Sequence, residues 1–289
     1  MKYHILYNLS AGKNKNMLCS INNIDLPENA QKELLDVKDI EDYTTFFEKI
    51  SPEDNIVICG GDGTLNRFIN NIDGINPKNE IFYFAAGSGN DFLHDLGTQK
   101  SHTPVNITKY IKDLPKVYID GKAHTFLNGI GYGIDGYCCK EINRQKALGK
   151  KASYILAAIK GFLYGYKPTN AVVTIDGNEY RYEKVWLTPT MLGKYFGGGM
   201  MIAPMQDRNN ADGTLTVIVA HGLSKLKILS LFPTIFKGTH IKHKKYIDVH
   251  TGHSISVKFD IPTAMQIDGE TITGVNEYTV KTAKALNTV

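Results

Sequence analysis

Over the first 115 positions, short apolar runs alternate with amphipathic stretches. Residues 2–7 (KYHILY), 55–59 (NIVIC) and 81–85 (IFYFA) read as strands, with a weaker one at 34–37 (LLDV). Residues 41–50 place Tyr43, Phe46, Phe47 and Ile50 at helical spacing, and 14–23 and 64–72 also read as helical. Strand and helix in alternation predict an α/β domain built on a doubly wound parallel sheet with right-handed connections. The pattern changes after about residue 116. Strand-like runs then follow at 116–120, 122–129, 170–176, 178–187, 214–220, 246–249, 254–259 and 265–268, punctuated by Gly, Pro and Asp-Gly. Asp120-Gly121 and Asp176-Gly177 are hairpin signals. With only two helical stretches, 151–165 and 224–236, this half predicts a β-sandwich, and the boundary falls near residue 120.

Composition narrows this picture. The chain has 289 residues, 42% hydrophobic and 21% charged, as expected of a water-soluble globular protein. Its longest apolar stretch, 155–166, is broken by Lys160 and falls far short of the ~20 residues needed to span a bilayer. The opening apolar run is too short for a signal peptide. Cys19, Cys59, Cys138 and Cys139 show no CxxC spacing, which fits reduced thiols in a cytoplasmic protein better than a zinc site. A net charge of +4 points to no nucleic-acid partner. The cluster KGTHIKHKK at 237–245 carries no carboxylate; it reads as a solvated loop or as a contact for anionic head groups.

Chemistry concentrates in the glycine turns. CGGDGTLN (59–66) follows a strand and opens a helix, the place where open α/β sheets bind ligands. Gly60, Gly61 and Gly63 let backbone N–H groups approach an anion, and the helix N-terminus adds partial positive charge. Asp62 would repel phosphate unless a cation lay between them; equally, it could cap the helix. GSGNDF (87–92) is a second turn of the same kind at the exit of the next strand. Gly131, Gly133 and Gly136 match GxGxxG, but no Asp or Glu lies between Glu141 and Asp176 to hold a ribose, so the match reads as a glycine-rich bend. Residues 207–215 (DRNNADGTL) are rich in oxygen ligands and fit either a divalent cation or an Asx turn. Asp268-Gly269-Glu270 follows a strand; one carboxylate could accept a hydroxyl proton, or the three could form a plain hairpin turn.

Together, GGDGTLN, GSGNDF, NGIGYGID (128–135), GGGMMIAP (197–204), Asp212-Gly213-Thr214-Leu215 and Asp268-Gly269-Glu270 stand in an order that resembles the diacylglycerol kinase catalytic-domain family, which includes sphingosine kinases. The resemblance covers nearly the whole chain. It implies an α/β nucleotide domain at 1–120 and a β-rich lipid-substrate domain at 121–278, with the active site in the cleft between them and a tail near 279–289 returning to the first. It implies ATP bound by Asn8, Ser10, Ala11 and Gly12, by Gly60, Gly61, Asp62, Gly63, Thr64 and Asn66, and by Ser88. It implies Mg²⁺ at Asp212 with Asn209 and Thr214, while the charge argument adds Asp62 as an anchor for metal-bound phosphate. The family's base lies in the DGE turn, with Asp268 and Glu270 both open. The implied partner is a lipid acceptor, most simply diacylglycerol, reached by peripheral membrane contact; the sequence leaves oligomeric state unassigned. Met200, Met201 and Ile202 are the expected apolar lining. Leu9, Ser88 and Arg67 stand where the family usually has Pro, Thr and Glu. The rival readings are an NAD kinase-like phosphotransferase, for which the Asn-Glu pairs at 178–179 and 276–277 are misplaced, and a non-catalytic binder of lipid or nucleotide.

Overall fold

A computed structural model describes residues 1–8, 21–87, 89–98 and 101–286. The chain divides into two compact units, Met1–Leu114 and Pro115–Val289, a few residues earlier than the composition change suggested.

In the first unit the elements are β1 (Lys2–Tyr7), β2 (Gln31–Asp36), α1 (Tyr43–Lys49), β3 (Asn55–Gly60), α2 (Asp62–Asn71), β4 (Ile81–Ala85), α3 (Asp91–Asp95) and β5 (Val105–Asn106). The sheet runs β2-β1-β3-β4-β5. The first four strands are parallel and β5 is antiparallel to β4. A two-residue edge strand has too little sequence to carry a period, so it escaped the pattern. Central β3 is buried along its whole length, which is why it reads as a continuous apolar run. Burying each of Ile56, Val57 and Ile58 contributes about 1.5–3 kcal/mol. Asp42 caps α1 by accepting from the amides of Thr44 and Thr45. Tyr43 then packs edge-on against Phe68 of α2 at 5.7 Å, docking one helix on the other. The helix expected at 14–23 lies outside the described residues except for its end.

The second unit contains β6 (Lys116–Ile119), β7 (Lys122–Thr125), β8 (Gly129–Tyr132), α4 (Ile134–Ala147), α5 (Tyr154–Lys160), β9 (Thr169–Ile175), β10 (Asn178–Val185), β11 (Thr190–Met191), β12 (Tyr195–Phe196), β13 (Met200–Met201), β14 (Leu215–Ala220), α6 (Lys225–Leu231), β15 (Ile247–Gly252), β16 (Ser254–Ile267) and β17 (Glu270–Lys281). The expected strands at 254–259 and 265–268 are one strand, β16. Its first half pairs with β9 and its second with β8, across a register shift between Lys258 and Thr263. One strand thus serves both layers of the sandwich, and Tyr132, Phe259 and Tyr278 fill the space between. The Asp-Gly hairpins form as expected, with Asp120 and Asp176 both at φ 48°. Thr279, Val280 and Lys281, at the start of the expected tail, pair with Tyr118, Val117 and Lys116 of β6.

Helix α4 was missed, because the stretch that opens it, GYGIDG, reads as a bend. Gly133, at φ 100°, turns β8 straight into the helix. Helix α5 continues into a π turn at Gly161–Gly165, and α6 into a 3-10 turn at Phe232–Lys237. These segments and α4 enclose a second apolar cluster around Phe162, Trp186 and Phe232. No helix among the described residues is long and apolar enough to cross a membrane.

Candidate active site

The first unit brings its two glycine turns together. A Cβ on Gly87 would lie 2.6 Å from Gly61 Cα, so the two backbones touch where a side chain would part them. Asp62 joins them by hydrogen bonds. Its carboxylate accepts from the amides of Asp91 at 3.1 Å and Phe92 at 3.2 Å, supplying the N-terminal cap that Asn90 does not give α3. The awkward charge of the sequence reading is therefore a clamp between turns. Gly60 makes room for the buried side chain of Thr64, whose Cβ would be 2.5 Å from a Cβ at position 60. Helix α2 begins at Gly61 without a side-chain cap, which leaves first-turn N–H groups to a ligand or water. Asn66 is buried and its side-chain oxygen accepts from Asn70, so it faces inward.

Asn8, at the exit of β1, lines a cavity of about 260 Å³ with Val37, Lys38, Tyr43, Thr64, Arg67, Phe68 and Asn71. The lining holds two cations, two aromatic rings and no carboxylate, and Arg67 takes its place beside Thr64 of the glycine turn. Asn90 sits in the left-handed region at φ 55°, with Nδ2 donating to the Gly87 carbonyl. Its buried Oδ1 has no donor among the described residues. Ser10, Ala11, Gly12 and Ser88 lie outside the described residues.

In the second unit the DGE turn is held from two sides. Asp268, at φ 45°, accepts from the amides of Leu127 at 2.6 Å and of Asn128 and Gly129 at 2.9 Å, while its own N–H donates to the Gly129 carbonyl. The amide of Gly269 donates to Gln266 Oε1 at 2.5 Å. Glu270 alone presents its carboxylate at the surface of the turn. Arg208 reaches the same segment, donating to the Leu127 carbonyl and to Asn128 Oδ1. Arg208 was not singled out from sequence, and Asp268, one of two candidates for the base, is committed to three amides.

The loop at 207–214 is closed on itself. The Thr214 carbonyl accepts from Gln206 Nε2 and Asn210 Nδ2, and the Asn209 amide donates to Asp207. Asp212 is exposed, and among the described residues no three His, Cys, Asp or Glu side chains come together. Asp212, Asn209 and Thr214 share this loop in the second unit, while Asp62 belongs to the first.

The second unit also encloses a narrow, almost wholly apolar cavity of about 50 Å³. Phe162, Met200, Ile202, Ile218, Ile228 and Phe232 line it, with Asp135, Tyr154 and His240 as its polar members. Met201 lies outside, against Gly238. Asp135 is fully buried; Tyr154 donates to Oδ1 and Gln266 Nε2 to Oδ2 at 2.8 Å. Burial pushes its carboxyl up to about 6, against the pull of those two donors. Burial likewise lowers His240 to about 4. His240 Nε2 pairs with the Ile202 carbonyl at 2.9 Å, and Nδ1 is buried without a partner among the described residues. The GxGxxG spacing now has a steric cause: a Cβ on Gly131 would fall 1.5 Å from Asp135 Oδ2, and one on Gly136 2.1 Å from the Ala264 carbonyl oxygen. In the basic cluster, His240 is buried while Lys242, Lys244 and Lys245 are exposed.

Residues 2–119 match the model of the diacylglycerol kinase catalytic domain, and residues 128–287 that of the YegS C-terminal NAD kinase beta sandwich-like domain. The chain belongs to the diacylglycerol kinase family. A diacylglycerol kinase of Mycobacterium tuberculosis is 28% identical over 204 residues, 65% of this chain and 62% of that protein, so the match spans less than two thirds of the relative. A crystal structure of a diacylglycerol kinase from Bacillus anthracis superposes with a TM-score of 0.63 over 97% of this chain and 93% of that one, at 22% identity, which establishes the shared two-domain fold. Of the three departures from the family's pattern, only Arg67 falls on described residues, and it lines the cavity beside the glycine turn.

Proposed function

We propose that this chain is an ATP-dependent lipid kinase, transferring the γ-phosphoryl group to a lipid hydroxyl, with diacylglycerol as the first acceptor to test. The observation that carries this reading is the apolar cavity whose polar lining residue Asp135 is linked through Gln266 to Gly269, the residue before Glu270. Such a cavity suits an acyl chain, which widens it on entry, and delivers the head of the lipid toward a carboxylate.

The glycine-turn amides, with Lys38 and Arg67, hold the nucleotide phosphates. Mg²⁺ would come bound to the phosphates that these residues hold, and would neutralise part of their charge. Glu270 orients the acceptor hydroxyl and takes its proton as the hydroxyl oxygen bonds to the γ-phosphorus; the bond from that phosphorus to the β–γ bridging oxygen breaks, and ADP leaves. Asp268 fixes the turn so that Glu270 is aimed before the acceptor arrives. Because the acceptor lives in a bilayer, the protein docks peripherally, with exposed Lys242, Lys244 and Lys245 meeting anionic head groups.

The test is incubation with labelled ATP, Mg²⁺ and, separately, diacylglycerol, monoacylglycerol, a sphingoid base and NAD. Label in a lipid phosphate is the expected result. Label only in NADP, or in no product, overturns it.

A further inference from the structure

We propose that Gln266 is a positioning residue that ties the filling of the apolar cavity to the geometry of the Asp268-Gly269-Glu270 turn. This rests on the reading of that turn and cavity as the acceptor side of a kinase.

The side-chain amide of Gln266 is 3% exposed and divided between two tasks. Oε1 accepts from the Gly269 amide at 2.5 Å, and Nε2 donates to Asp135 Oδ2 at 2.8 Å. The first bond fixes the residue before Glu270, and the second ends on a carboxylate that lines the cavity. The arrangement follows from register. Gln266 of β16 stands opposite Gly131 of β8. Because Gly131 has no side chain, Asp135 Oδ2 occupies the space a Cβ would take and meets the Gln266 amide there.

An apolar residue at 266 would leave both the Gly269 N–H and Asp135 Oδ2 without this partner, in a setting where unsatisfied groups are expensive. Leucine could fill much of the same volume, so the retained polar group marks a linkage that packing does not require. A ligand in the cavity moves or restrains Asp135 and Tyr154; Gln266 passes that displacement to Gly269, one bond from Glu270. Glu270 does the chemistry and Gln266 acts through it.

Two readouts test this in the full chain. The first uses no ATP: hydrogen–deuterium exchange of the segment 266–270, with and without saturating monooleoylglycerol. In the wild type the probe is expected to slow exchange there by about threefold or more. In Gln266→Leu, with probe binding confirmed by calorimetry, the segment is expected not to respond. The second compares kcat for dioleoylglycerol and for a dibutyryl acceptor too short to fill the cavity. A wild-type ratio of about tenfold should collapse toward one in Gln266→Leu, with KM for ATP unchanged, a coupling of ordinary size.

If Gln266→Leu does not fold, Asp135→Ala cuts the linkage from the cavity side and leaves the Gly269 bond in place; it should lose the exchange response at saturating probe. Equal exchange responses in wild type and variant, or an equal slowing of both acceptors, overturn the proposal in favour of a purely structural glutamine. A wild type that shows the exchange response but phosphorylates no lipid sinks the kinase reading and leaves the linkage standing.

Discussion

Asp62 and Asp268 sit in the two turns to which the proposed function assigns the chemistry, and they are built to the same plan with different outcomes. Each lies beside glycine at the exit of a strand. Each uses its carboxylate to hold backbone amides from a distant part of its own unit, Asp91 and Phe92 for the first, Leu127, Asn128 and Gly129 for the second. Around Asp62, what is held in place is bare backbone: two glycine turns pressed together and a helix start without a cap. Around Asp268, what is held in place is the backbone leading into Glu270, which is exposed. An aspartate in a glycine turn is thus better read as a fastener, and in the proposed function the working group is what lies beside it: N–H groups for an anion in one unit, the Glu270 carboxylate for a hydroxyl in the other.

The strongest way to break this comparison is to exchange the two roles by mutation. Glu270→Gln is expected to lower kcat by about 10²–10⁴-fold while the urea midpoint of unfolding stays within error of wild type. Asp268→Asn should do the reverse in kind. It leaves amides of Leu127, Asn128 and Gly129 short of acceptors and costs roughly 2–4 kcal/mol of stability, read from the same urea titration. A catalytic loss from Asp268→Asn without loss of stability would return the base to Asp268.

A smaller effect tests the first unit. Gly87→Ala forces a Cβ against Gly61 Cα and should cost about 1–3 kcal/mol and weaken ATP binding by calorimetry, since the two turns must part. Unchanged stability and affinity would mean that the close approach is incidental. The smallest expected effect is at Arg67. Arg67→Glu should raise the Kd for ATP roughly three- to tenfold with little change in kcat, as an exposed charge acting through solvent does. A tighter Kd would mean that Arg67 faces the nucleotide's solvent side and contributes nothing to phosphate binding.

Much of this was legible in the sequence, for local reasons. The buried β3 announced itself as NIVIC, α1 through its apolar spacing, and the Asp-Gly hairpins through a backbone requirement that two residues can carry alone. The motifs also fell on the turns that the Asp62 and Asp268 carboxylates hold. Their internal wiring was not legible, because the partners of Asp62 lie 29 and 30 residues away and those of Asp268 lie 139 to 141 away. A carboxylate capping a remote backbone and one awaiting a metal look identical as letters. The same holds for Asp135: its companions Tyr154 and Gln266 come from an α-helix and a strand, and only folding reveals that they converge. Helix α4 failed to register for a different reason. Its first turn contains the glycine that β16 needs for close packing, so a tertiary constraint overwrote the local helical signal.

The fit of Asp135 over Gly131 also restricts how this protein can change through time. A side chain at 131 would occupy the place of Asp135 Oδ2, 1.5 Å away. A lineage therefore cannot acquire even alanine at 131 while it keeps aspartate at 135. It must give up the carboxylate first and pass through a form in which Gln266 has lost its partner. Homologous chains should accordingly divide into two groups, glycine with aspartate or a larger residue with something shorter, with few ancestors stranded between them.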